Sequence, residues 1–171
     1  MNNAVKPVSE ILGVNDFMYR LAFVGVDEQL ARRQLQPKTN SLIWLLGHIA
    51  VNRAYVGQLT GLQIEEPWGE LFNKSIDQIA ATALPPLTEI RGYWEQVAPK
   101  TAAHLSQLDE AALAGALPFK FPTREQNVLA GLSFMAMHES YHVGQMSSLR
   151  KHLGLESLYE LAVKEMKKSR E

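Results

Sequence analysis

Two histidines stand four residues apart in His138-Glu139-Ser140-Tyr141-His142. On a helix, residues at that spacing leave one face together, with Cβ atoms about 5–6 Å apart. Their rings can then close on a single cation, each offering one nitrogen at about 2.0–2.1 Å for zinc. Two imidazoles rarely suffice, so a third donor has to come from elsewhere in the chain. Of the five histidines, His48, His104 and His152 remain. His48 is the best placed: it sits in Trp44-Leu45-Leu46-Gly47-His48-Ile49-Ala50-Val51-Asn52, where a lone ionisable ring costs free energy unless it finds a partner. Trp44, His48, Val51 and Tyr55 share one helical stripe, and Gly47 would let a neighbouring helix come close. His104 lies in a more polar segment and His152 at a helix end, where it would offset the dipole. Both are expected at the surface.

Each of these patterns has a plainer reading. A core histidine is more often hydrogen-bonded than metal-bound, and an H-x-x-x-H pair on a helix need not bind anything. Their co-occurrence on otherwise apolar faces favours one three-histidine site. The chain has no cysteine, so disulfides, a cysteine nucleophile and thiolate ligands are excluded, and a metal must be held by nitrogen and oxygen. Any thiol chemistry would need a thiol carried in by a cofactor or substrate.

The same letters spell H-E-x-x-H, in which zinc peptidases use the glutamate as general base. That reading is the weaker one. Ser148 stands where an extended peptidase motif would place its last histidine, no strand exists to align a peptide, and His48 would have no role. Glu160 or Glu165 remain as downstream carboxylate ligands under this alternative. Otherwise Glu139 would accept a hydrogen bond from Tyr141, an arginine or a partner helix. Gln145 and Asn52, one turn beyond His142 and His48, are candidates to orient the rings.

Four long helical segments must position these residues. The first is expected over about Ser9–Arg33, ending before Pro37. The second is capped by Thr39 or Asn40 and closes at Gly61, as a glycine just past a helix end should. Apolar almost all round, it belongs at the centre of a bundle or in a subunit interface. A long link to about Leu84 contains Pro67, Trp68 and Gly69, and Ser75 and Gln78 have capping-box spacing for a short helix. The third helix begins near Pro86 and reaches about Leu108, with Pro99 expected to kink or break it. The fourth runs from about Thr123 to His152, followed by Gly154 and a short amphipathic helix. Together these predict an all-α four-helix bundle. The long link is able to cross the bundle's length, so the second and third helices are free to run parallel.

Length suits one domain over 1–171, with its core at about 10–154. Net charge near −1, with basic residues gathered only in the C-terminal Lys-Glu-Met-Lys-Lys-Ser-Arg-Glu, argues against nucleic acid as a partner. No basic segment followed by an apolar run suggests a secretory signal. No apolar stretch reaches the length of a membrane span either, so a cytoplasmic protein with no membrane partner is expected. Spare apolar surface on the second helix suggests a homodimer.

The segments around His48, and Gly131 to Gly154 with its His138, His142, Gly144-Gln145, Arg150 and Gly154, resemble the DinB-like superfamily of metal-dependent four-helix bundles over roughly residues 10–154. The resemblance implies an up-down-down-up topology with a long crossover between helices two and three. It also implies a divalent-metal site on His48, His138 and His142. Pro99 and the tail after Gly154 depart from the pattern. Similar proteins include thiol-dependent transferases and isomerases, such as bacillithiol transferases and mycothiol-dependent maleylpyruvate isomerase. The implied function is therefore a metal-dependent enzyme acting on a small-molecule substrate, a thiol-dependent transferase or a hydrolase. Its cofactors would be zinc, nickel or iron and a low-molecular-weight thiol. The alternative from another class is a bundle, metal-bound or metal-free, that acts by association without catalysis. Trp68 and Phe72 in the link and Phe119, Phe121 and Arg124 in the last loop are expected to frame the pocket mouth. Because ligation needs deprotonated imidazoles, metal should be lost below about pH 6.

Overall fold

The computed structural model describes residues 2–79 and 83–169. Eight α-helices are assigned among them: α1 (Lys6–Leu21), α2 (Glu28–Arg32), α3 (Leu42–Leu59), α4 (Gly69–Phe72), α5 (Leu87–Leu105), α6 (Glu110–Ala114), α7 (Val128–His152) and α8 (Leu158–Lys168). The described residues form no strand, only an isolated bridge between Ala116 and Asn127. None of the helices is long and apolar enough to cross a membrane.

The long first helix predicted from periodicity divides into α1 and α2. Gly25 takes a left-handed φ of 70°, and Asp27 then opens α2 by accepting from the Leu30 backbone N–H at 2.7 Å. A glycine followed by a capping aspartate is a stop and a restart, and periodicity alone does not see it. α1 begins at Lys6, with Pro7 in its first turn, where the missing N–H has no intrahelical partner to lose. Ser41, rather than Thr39 or Asn40, caps α3 through the Trp44 N–H. At the other end Gly61, with φ 87°, closes α3 as expected. Helix α5 runs unbroken through Pro99. This proline lies on the exposed side, so the carbonyl it leaves unpaired one turn earlier can be hydrated instead of being stranded in the core. Asn127 starts α7, slightly later than predicted. Ser157 and Glu160 form the capping box of α8. In the link, Ile76–Gln78 is a single 3-10 turn, and residues 80–82 of the expected short helix lie outside the described set.

The order of contacts gives the helix directions. Tyr19 and Arg53 bond to the carbonyls of Leu46 and Leu12, so α1 and α3 are antiparallel. Thr101 and His104 of α5 bond to the carbonyls of Arg53 and Thr60; α3 and α5 ascend together. Asn15 meets Ala136 and Arg150 meets Ala22, so α1 and α7 are parallel. Two successive long helices pointing the same way require the long link between them.

The central position of α3 follows from its composition. Fourteen of its eighteen residues are buried, covered by α2, α4, α5 and α7. The apolar surface on which the homodimer expectation rested is therefore used up inside the chain. Exposed apolar side chains lie elsewhere, including Ile11 and Val14 on α1 and Met137 and Tyr141 on α7.

Candidate metal centre

The antiparallel crossing of α3 and α7 brings His48 against the His138–His142 pair. All three can present a ring nitrogen within 4.8 Å of the others. His48 Nε2 lies 3.2 Å from His138 Nε2, which lies 2.7 Å from His142 Nε2. The outward nitrogens explain why these edges face each other. His48 Nδ1 is 2.8 Å from the Phe72 carbonyl oxygen, and His142 Nδ1 is 2.8 Å from Gln145 Oε1. Both oxygens only accept, so each Nδ1 must carry the proton and donate it. In the neutral rings Nε2 of His48 and His142 is then a lone pair, aimed at a shared point. Lone pairs set this close need a cation or a proton on His138 Nε2 between them, and with that proton on Nδ1 instead the three-nitrogen donor set fits a metal.

The support is specific. Phe72 ends the short α4, and its ring packs so closely on Gly47 that a Cβ there would overlap it. Gly47 thus admits the Phe72 ring of the neighbouring short helix α4, and that close approach brings the Phe72 carbonyl to His48. Trp44 stacks on His48 with ring centroids 4.7 Å apart and planes 10° from parallel. Gln145 orients His142 as anticipated and also donates to the Tyr141 hydroxyl. Asn52 does not reach a ring; its amide bonds back to the His48 carbonyl. His104 is half-buried and donates to the Thr60 carbonyl at the end of α3, whereas His152 is exposed.

Glu139 takes no part in this cluster. It is 2% exposed and receives Arg53 through two bonds, Nε to Oε2 at 2.9 Å and Nη2 to Oε1. Arg53 also donates to the Leu12 carbonyl and lies over the Trp94 ring. A carboxylate turned into the core and held by a guanidinium cannot serve as a peptidase base beside the histidines. Arg53 was not singled out in the sequence because one arginine in an apolar helix carries no spacing signal.

Of the expected mouth, Phe119 and Phe121 line a cavity of roughly 440 Å³ that reaches His138. Phe72 is fully buried, Trp68 packs against Phe72 and Tyr93, and Arg124 is exposed.

The sequence pattern of the DinB superfamily matches residues 18–146. The chain belongs to the DinB superfamily. The match spans His48, His138 and His142, so the histidine cluster lies within the part of this DinB-superfamily protein that defines its family. No curated protein matches the chain.

The protonation of the cluster is displaced. Burial brings His48 down from 6.5 to about 4; the Phe72 carbonyl opposes this, and the neighbouring His142 and His138 rings reinforce it. Burial also lowers His138 and His142. Below about pH 6.5 the unfolded chain therefore binds more protons than the folded one. The metal-free protein should lose stability as pH falls from about 6.5 toward 4, by about 3 kcal/mol for His48 alone. With metal present, the depressed values keep the lone pairs available below the usual histidine range, so metal should be released as pH falls toward about 4 and stay released below it. Thermal melts of chelated protein at pH 7 and 4.5 check the first statement, with His48→Gln giving a flatter profile. Equal melting temperatures at the two pH values in the parent protein would count against it.

Proposed function

We propose that this protein is a metal-dependent enzyme that acts on small molecules, a thiol-dependent transferase or a hydrolase. His48, His138 and His142 hold one divalent ion, zinc, nickel or iron. The observation that carries this reading is the convergence of three Nε2 atoms with two of the rings fixed from behind by dedicated acceptors. When bound, the ion supplies Lewis acidity, which stabilises the anionic form of an acidic donor such as a thiol. The protein's own groups do the rest. The Phe72 carbonyl and the Gln145 amide keep the imidazoles in the binding tautomer. Trp44 covers one face of His48, and the cavity beside His138 admits a guest. No side-chain thiol competes for the ion, and a cytoplasmic setting, where low-molecular-weight thiols stay reduced, is part of this proposal.

The test is a screen of low-molecular-weight thiols against a chromogenic electrophile, beside a panel of activated esters and amides. Turnover that appears with metal and vanishes with chelator is expected for one of the two panels. The absence of any metal-dependent rate in both would remove the enzyme reading.

The second reading is a bundle that acts by association. It draws on Ile11, Val14, Met137 and Tyr141, apolar and exposed on the neighbouring helices α1 and α7. Under either reading a homodimer is proposed, and light scattering at high concentration tests it.

A further inference from the structure

The cavity beside His138 has a chemical character of its own. Its walls come from four places: α3, the link, the last loop and α7. Phe119 stacks on Tyr55 at 5.7 Å and on Phe121 at 5.0 Å, both with planes 20° from parallel, and Phe134 meets Phe121 edge-on at 5.4 Å. Planar faces in this arrangement favour a planar guest, because stacked and edge-to-face ring pairs gain beyond simple burial. Phe119 is 51% exposed, so a flat guest can cover a ring that the protein itself leaves half open.

Charge narrows the guest further. Among the described residues lining the cavity there is no lysine or arginine, and the one carboxylate is that of Glu66. Asn52, Gln58 and Asn73 add amides. Tyr55 lends the cavity its ring, while its hydroxyl is buried away from the open space. An anion entering here meets a carboxylate and no protein cation, whereas an amide or a cation meets acceptors.

We propose that this cavity binds the planar aromatic part of an uncharged or cationic small molecule, with its reacting end toward His138. The inference deepens the enzyme reading by naming the class of its electrophile. A thiol bearing several carboxylates is the wrong occupant for this space and would have to approach from outside it.

Benzamidine, benzamide and benzoate are matched probes, flat rings of nearly one size carrying positive, no and negative charge. They would be titrated by calorimetry into the full-length protein, first freed of metal with chelator. Benzamidine and benzamide should bind, and benzoate roughly tenfold more weakly or not at all. Phe119→Ala should weaken the two binders about three- to tenfold, and Glu66→Gln should erase the advantage of benzamidine over benzamide. Phe119 is half exposed, so its truncation should leave the fold intact, which circular dichroism would verify. Benzoate binding as tightly as the others, no effect of Phe119→Ala, or no binding of any probe in the millimolar range would overturn the proposal. Repeating the titrations with zinc separates the two ideas. Benzoate binding gained only with zinc reports on the metal centre, while the metal-free order reports on the cavity.

Discussion

Replacing His48, His138 or His142 with alanine is expected to strip the purified protein of a near-stoichiometric divalent ion. His104→Ala and His152→Ala should leave it in place. Each of the three rings contributes one Nε2 to the same point, and they lie within 4.8 Å of one another. Losing one leaves two donors, which seldom hold an ion against water. His104 is bonded to the Thr60 carbonyl, and His152 faces solvent. The partners behind the rings should show a graded effect. Gln145→Leu removes the acceptor that keeps the His142 Nδ1 protonated, and affinity should fall about 10- to 100-fold. Elemental analysis of protein purified without added metal, followed by competition with a chromogenic chelator, measures both effects. Full occupancy in His48→Ala and His138→Ala would overturn the ligand assignment.

Glu139→Ala should cost about 3–5 kcal/mol of stability, because it leaves the Arg53 guanidinium buried with its main partner gone. Against a total of about 5–15 kcal/mol for a domain, that is enough to threaten folding at moderate temperature. The pair is 2% exposed on both sides, and Arg53 also contacts the Leu12 carbonyl and the Trp94 ring. The single substitution therefore disturbs a junction of α1, α3, α5 and α7. Replacing both partners with methionine should recover most of the loss, since a buried pair is not intrinsically better than apolar packing of similar volume. Denaturant midpoints for the two single variants and the double variant measure the coupling. A peptidase base behaves oppositely: its alanine variant keeps its stability and loses only hydrolysis. A Glu139→Ala protein within about 1 kcal/mol of the parent would show that the pair is not the tie described here.

The element pattern was legible because helical periodicity, caps and terminal glycines are local. Gly61 and Gly154 end their helices with φ 87° and 82°, and the amphipathic segment after Gly154 forms α8. The errors have a common cause. Ser9–Arg33 looked continuous because its apolar spacing persists across Gly25, while the stop is set by backbone geometry. Pro99 looked disruptive because its cost depends on where the orphaned carbonyl points, which no local rule reports. The second helix is covered within the monomer because a helix apolar all round is consumed equally well by its own chain, so a homodimer would have to use other surface.

Residue types and spacing alone settled that any metal would be held by nitrogen and oxygen, and that His138 and His142 share a face. The fold decided the remainder: that His48 comes within reach of them from ninety positions away, that Phe72 supplies its carbonyl to His48, and that Glu139 turns inward to Arg53. Helical spacing acts through neighbouring bonds, so it can be read along the chain. Which atom faces which across the bundle depends on helix crossing and on a link whose length permits many paths, and only the packed core selects one.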